Sequence, residues 1–259
     1  MTSVRYTLQD AMGWARFSGD WNPVHFSLTR AKAQGASRLS VHGMRALLDV
    51  KGALAPDLSS PWVKCTVRLR QPLWCDTEYS LSVQPDGAQA LVVTQAQQQE
   101  VRLSCRLTGQ NAAPQGGSHE IKRPAQEEMR ALYREFMTLM PGARQWHFLD
   151  AIMFRQLICE PALMAQPAIA AVLPAPLTLN ELFDRFHVVQ THQEVIFDAH
   201  LQAPLTRDMG IDLVSLRLLP SLVVEAPGGG LVVQVGVSAA ISHPQRQITN
   251  RLTLKIETR

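Results

Sequence analysis

The chain of 259 residues contains only four cysteines, Cys65, Cys75, Cys105 and Cys159, and none forms a Cys-x-x-Cys pair or sits beside a histidine cluster. That spacing argues against a zinc site and against a disulfide framework, so the thiols are expected to be reduced and mostly buried. No uninterrupted apolar run reaches membrane-spanning length. The first residues carry Arg5, Asp10 and Arg16 and lack the apolar centre of a secretory signal. Charge is sparse as well: charged residues make up 18% of the chain, the net charge is +3, and no lysine or arginine run alternates with aromatics. A single-strand nucleic-acid binder would need such a run. The expectations are no nucleic-acid partner, no membrane association, no metal and no cofactor, with the cytoplasm as the default location.

What is present is apolar and patterned. At 46% hydrophobic residues the chain is too apolar for disorder, and its length suits two modules sharing one extended core. Residues 108–118, Thr-Gly-Gln-Asn-Ala-Ala-Pro-Gln-Gly-Gly-Ser, lack apolar periodicity and favour turns. They suggest a module at 1–110, a linker at 111–124 and a second module at 125–259. In the first module a short helix is expected over 8–17 and a second from Gly43 through Met44, Leu47, Leu48 and Leu54. The second is apolar around most of its circumference, with Arg45 and Asp49 as a narrow i,i+4 polar stripe, so it must be largely enclosed.

Strands follow. Val63, Cys65, Val67 and Leu69 alternate with Lys64, Thr66, Arg68 and Arg70, placing an apolar face inward and a basic face outward. Further strand patterns cover 77–83, 90–96 and 101–107, with a turn at Pro85-Asp86-Gly87. After the linker, helical signal returns over 126–140 and 148–159, a proline-rich stretch spans 167–176, and strands dominate 187–201, 211–225, 231–241 and 247–257. The turns at 227–230 and 242–244 separate the last runs. Helices followed by strands thus occur twice. This order predicts an α+β fold of two modules, each a helix wrapped by an antiparallel sheet, with the two sheets joined edge to edge.

The segment Phe17-Ser18-Gly19-Asp20-Trp21-Asn22-Pro23-Val24-His25, with Ala31 six residues on and His42-Gly43 seventeen residues after His25, resembles the MaoC-like (R)-specific enoyl thioester hydratase family. The close resemblance covers roughly residues 6–107. It implies a hot-dog fold, here a double hot-dog, and hydration or dehydration of trans-2-enoyl and (R)-3-hydroxyacyl thioesters on coenzyme A or an acyl carrier protein. By the same resemblance Asp20 and His25 are the catalytic pair, and the Gly43 backbone N–H is the donor to the thioester oxygen. The chain would act as a monomer of two fused modules or as a homodimer.

The residues support that chemistry on their own terms. Moving water onto or off a 3-hydroxyacyl thioester needs a proton transfer at carbon 2 and another at the carbon 3 oxygen, and a carboxylate and an imidazole can share them. Asp20 and His25 are five apart with Pro23 stiffening the loop, and Asn22 between them is a candidate orienting partner. Gly43 stands at a helix start, where unpaired N–H groups meet developing negative charge. Trp21 is expected in the wall of the substrate site, and Met44 and Lys51 beside the ligand. Lys51 stands where many members of the family have a small hydroxyl residue, either snorkelling or reaching toward ligand.

Blander readings exist for each residue. An isolated Asp-x-Asn-Pro is usually a capped turn, His42 is expected to be structural, and Lys64, Arg68 and Arg70 form by default a solvated face. The second module repeats no Gly-Asp-x-Asn-Pro-x-His order. One active site is expected per chain, with Asp184, His187 and His192 in structural roles. A hot-dog thioesterase and a non-catalytic acyl-binding subunit are the competing functions.

Overall fold

The computed structural model describes residues 1–95, 99–173, 178–207, 209, 214–226, 229–242 and 245–257. The start of the run at 211–225, the end of the 167–176 stretch and parts of the turns at 227–230 and 242–244 lie outside those residues.

The first half opens with β1 (Thr2–Arg5), α1 (Leu8–Ser18), a 3-10 turn (Pro23–His25), α2 (Leu28–Ala33) and α3 (Gly43–Gly52). The strands β2 (Trp62–Leu69), β3 (Glu78–Val83), β4 (Gln89–Thr94) and β5 (Val101–Gln110) follow. The second half runs through β6 (His119–Ile121), α4 (Gln126–Leu139), α5 (Gln145–Cys159), α6 (Pro161–Met164), α7 (Pro167–Ala170) and α8 (Leu179–Arg185). It closes with β7 (His187–Asp198), β8 (Val214–Leu218), β9 (Leu222–Glu225), β10 (Leu231–Ile241) and β11 (Arg246–Glu257).

All the described strands join one 11-stranded antiparallel sheet in the order β1-β3-β4-β5-β2-β7-β11-β10-β8-β6, with β9 paired to β10. The halves meet where β2 pairs with β7, from Trp62 opposite Asp198 to Arg68 opposite His192. The alternation of β2 holds: Val63, Cys65 and Val67 are fully buried while Thr66 and Arg68 face out. The helices α3 and α5 are the enclosed ones, buried over most of their length. Two helix-in-sheet modules fused into one continuous antiparallel layer make this a double hot-dog fold, as expected.

Local chemistry sets the element ends. In α1 the Thr7 hydroxyl accepts from the Asp10 N–H at 3.3 Å, and the Asp10 carboxylate accepts from the Thr7 N–H at 2.9 Å, a reciprocal cap. Arg45 on α3 reaches Asp49 and, across to α1, Asp10, each at 3.0 Å, so the expected polar stripe also ties the two helices. The run expected at 211–225 divides at Pro220, which has no N–H for a ladder, and its two pieces pair with different halves of β10. In the stretch expected to be a linker, β6 pairs with β8, Ile121 is buried, and the Gly117 N–H donates to the Ser238 hydroxyl at 2.8 Å. Part of that low-periodicity sequence is therefore held at the outer edge of the second half-sheet.

Candidate active site

Gly19 ends α1 in the left-handed conformation at φ 75°, which a residue with a side chain adopts only under strain. A Cβ there would also stand 3.0 Å from the Cys159 Sγ on α5. The turn throws the chain off the helix and puts Asp20 in the interior. Asn22 then caps the 3-10 turn: its side-chain oxygen accepts from the Val24 N–H at 3.2 Å, while its own N–H donates to an Asp20 carboxylate oxygen at 3.2 Å. Pro23, in the first position of that turn, needs no N–H partner there. The motif is thus a chain of local caps that delivers Asp20 and His25 to the same wall.

The His25 ring is fixed from one side. Its Nδ1 lies 2.8 Å from the Ser40 carbonyl oxygen and 3.2 Å from the Ser40 hydroxyl, so Nδ1 carries the proton and Nε2 is left as the basic nitrogen. His42 lies against it, ring centroids 3.8 Å apart. The His42 Nε2 donates to the Asp20 carbonyl oxygen at 3.0 Å and stands 4.0 Å from the Asp20 carboxylate. His42 therefore supports the loop, and it lines the same cavity as Asp20 and His25.

Burial moves these groups toward their neutral forms. It raises the Asp20 carboxyl above its ordinary value, against weaker downward pulls from His25 and the Asn22 N–H. His25 is lowered to about 3, chiefly by burial and then by His42, with Asp20 and the Ser40 carbonyl opposing. Burial likewise takes His42 to about 4, opposed by its bond to the Asp20 carbonyl. At neutral pH the imidazole of His25 is therefore in its neutral form.

At the start of α3 no backbone or side-chain acceptor among the described residues takes the Gly43 N–H. A Cβ at Gly43 would fall 2.2 Å from the Leu69 Cδ2, so a side chain there must displace that terminal methyl of the cavity wall. Asp20, Asn22, His25, Gly43 and Met44 all line one cavity of about 480 Å³. Its volume is that of an ordinary small-molecule site. The second half supplies much of its apolar wall, with Phe154 from α5, Leu179 and Phe183 from α8, and Leu252 and Leu254 from β11.

Two of the expected site residues stand apart from the lining. Trp21 is 47% exposed, packs on Phe26 at 5.5 Å between centroids, and faces a surface depression shared with Pro23, Asn180 and Asp184. Lys51 neither snorkels nor reaches the cavity. It is buried between the halves, where its amine donates to Asp150 of α5 at 2.5 Å and to the Gln193 side-chain oxygen of β7 at 2.8 Å. His187 lines the cavity and pairs with Glu257 at 2.9 Å, whereas His192 sits on the outer sheet face beside Arg68.

Sequence reasoning missed Ser40 and all of α8. Ser40 belongs to no recognisable pattern. For α8 a signal was present, the Thr178-x-x-Glu181 capping box, whose hydroxyl accepts from the Glu181 N–H at 3.2 Å.

No protein-family model matches the sequence, and no curated protein matches it. Among solved structures, one described as a MaoC-like dehydratase is 11% identical over 99% of this chain and 96% of its own, with a TM-score of 0.45. A conserved hypothetical protein of Mycobacterium tuberculosis described as having a double hot-dog fold is 10% identical over 98% of this chain and 93% of its own, TM-score 0.45. The peroxisomal multifunctional enzyme type 2 of Drosophila melanogaster is 10% identical over 99% of this chain and 48% of its own, TM-score 0.43. The fold assignment rests on the strand order and helix burial of this chain.

Proposed function

We propose that the chain interconverts (R)-3-hydroxyacyl and trans-2-enoyl thioesters by loss or addition of water. The observation that carries this reading is the convergence, on one apolar cavity, of a buried carboxyl, an imidazole with a free basic nitrogen, and an unpaired helix-start N–H.

In the dehydration direction the His25 Nε2 takes the proton from carbon 2, and electron density moves onto the thioester oxygen. That oxygen accepts from the Gly43 N–H, where the start of α3 favours negative charge. Asp20, whose burial favours the protonated form, gives its proton to the carbon 3 hydroxyl, which leaves as water while the carbon 2–carbon 3 double bond forms. The proton taken by His25 returns the pair to its starting state through Asp20 or solvent. Hydration runs the same steps backwards. Met44 and the apolar wall from the second half hold the acyl chain, and the thioester arrives attached to coenzyme A or a carrier protein.

A hydrolytic role fits less well, because burial moves the Asp20 carboxyl toward its protonated form, which cannot activate water against a thioester carbon. The test is one incubation with a panel of enoyl thioesters. Loss of enoyl absorbance without thiol release is the expected result. Thiol release would replace this reading by a thioesterase, and binding without either change would leave an acyl-binding protein.

A further inference from the structure

The loop that carries Asp20 is held by side chains from elsewhere in the fold. Arg155 on α5 donates to the Phe17 carbonyl at 2.7 Å, and His42 donates to the Asp20 carbonyl at 3.0 Å. Between them, Asn180 on α8 holds two backbone groups at once. Its side-chain amide donates to the Gly19 carbonyl at 2.9 Å, and its oxygen accepts from the Trp21 N–H at 3.3 Å. These are the polar backbone groups immediately before and after Asp20, separated from Asn180 by about 160 positions in sequence.

The same helix faces the acyl cavity. Leu179 and Phe183, one turn apart on α8, are buried and line it, and Asn180 projects from the next position toward the loop. An ion pair between Arg30 of α2 and Asp184 at 3.0 Å also links α8 to the first half, but both partners are about half exposed and it contributes little. One short helix of the second half therefore touches the backbone around the proposed acid and the cavity where the chain of the substrate would lie.

We infer that Asn180 is a positioning residue that sets the Asp20 carboxyl, and that α8 couples filling of the acyl cavity to that setting. The coupling rests on the reading of Asp20 as the proton donor; the clamp itself does not. No side chain other than an amide offers a donor and an acceptor in this fork. Asn180→Ala removes both of these bonds and leaves the Trp21 N–H only its 3.1 Å bond to the Gly19 carbonyl, while Asn180→Asp keeps the acceptor for Trp21 and loses the donor to Gly19.

The test measures hydrogen exchange and kinetics on the full chain. Wild type, Asn180→Ala and Asn180→Asp are compared by mass spectrometry of peptides covering 17–25, with melting curves to confirm folding. Asn180→Ala is expected to speed exchange at the Trp21 amide by up to about tenfold, the scale of losing one of its two hydrogen bonds, and Asn180→Asp to do so less. With enoyl thioesters, Asn180→Ala is expected to lower kcat by about tenfold with KM changed less than twofold. Leu179→Ala serves as the contrast: it should raise KM for long chains with exchange over 17–25 unaltered in the unliganded protein. In the wild type, a long acyl thioester should slow exchange over 17–25 more than a short one at equal saturation.

Unchanged exchange in Asn180→Ala would overturn the clamp, and so would a loss confined to KM. Protection independent of chain length would overturn the coupling. If the wild type turns over no thioester in the panel, the proposed function falls, and the exchange comparison alone decides the clamp. If Asn180→Ala fails to fold, the same comparison is made with Asn180→Asp, where unchanged exchange again overturns it.

Discussion

At Asp20 and His25, water exclusion does two things with one cause. It favours the protonated carboxyl and the neutral imidazole, the forms a dehydratase needs before the first proton moves. Asp20→Asn and His25→Ala are each expected to lower kcat by roughly two to four orders of magnitude. The double variant should be little worse than either single one, since the two groups serve one proton-transfer sequence. Circular dichroism should show the fold intact, because Asn at position 20 still offers an oxygen to the Asn22 N–H and His25 lies on a cavity wall. Near-normal enoyl turnover in Asp20→Asn would move the chemistry elsewhere. Gly43 makes a separate case. Any side chain there meets Leu69, itself part of the cavity wall, at 2.2 Å, so Gly43→Val should push Leu69 aside and obstruct the helix start. The expected reading is higher KM and lower kcat together; a change in stability alone would deny Gly43 a part in binding.

Among the elements, α3 shows how far a sequence can be read. Its position, its burial and the Arg45/Asp49 stripe were legible because each depends on neighbours within a turn or two. The motif at 17–25 was legible for the same reason, being a string of local caps. The partner of Lys51 was not. Asp150 lies 99 residues away, and an isolated lysine on an apolar helix carries no mark of whether it meets solvent, ligand or a carboxylate. Asn180 was hidden in the same way, although the capping box of its helix could have been seen. In the interior Lys51 faces opposing effects: burial, the largest, favours loss of its proton, while the Asp150 carboxylate and then the Cys65 and Cys105 sulfurs together hold the amine above its ordinary value. Asp150 also accepts from Gln193 at 2.9 Å and from Asn250 at 2.7 Å, so α3, α5, β7 and β11 meet at one carboxylate. Removing only the cation strands that acid. Lys51→Met should cost about 3–5 kcal/mol in denaturant melts. Adding Asp150→Asn, which keeps an oxygen for Gln193 and Asn250, should recover a large part. If the double variant were as unstable as the sum of the singles, the pair would not be coupled.

Across the whole molecule, fusing the half-sheets through β2 and β7 covers two strand edges and creates an interior large enough to bury titratable groups with the apolar ones. Three of these are histidines: His25 and His147 are lowered to about 3 and His42 to about 4, in each case with burial as the largest cause. An unfolded histidine takes its proton near pH 6.5, whereas these do so in the folded chain only well below that. Between those values the unfolded state binds more protons, so their contribution to stability is complete above about pH 6.5 and is lost as pH falls toward 3 to 4. Asp20 and Asp150 work in the opposite sense, since burial raises both carboxyls and so favours protons in the folded chain that the unfolded chain releases more readily. His147 isolates the effect, because it lies on α5 away from the cavity lining, and its Nδ1 accepts from the Arg144 N–H at 3.0 Å. Lowering pH from 6.5 to 5 should cost about 2 kcal/mol through this one histidine, at about 1.4 kcal/mol for each pH unit. His147→Gln, which lowers stability at pH 7 by losing that fit, should narrow the gap between melts at pH 7 and pH 5 by about the same amount. An equal gap in both proteins would show that His147 does not remain neutral in the folded chain down to pH 5.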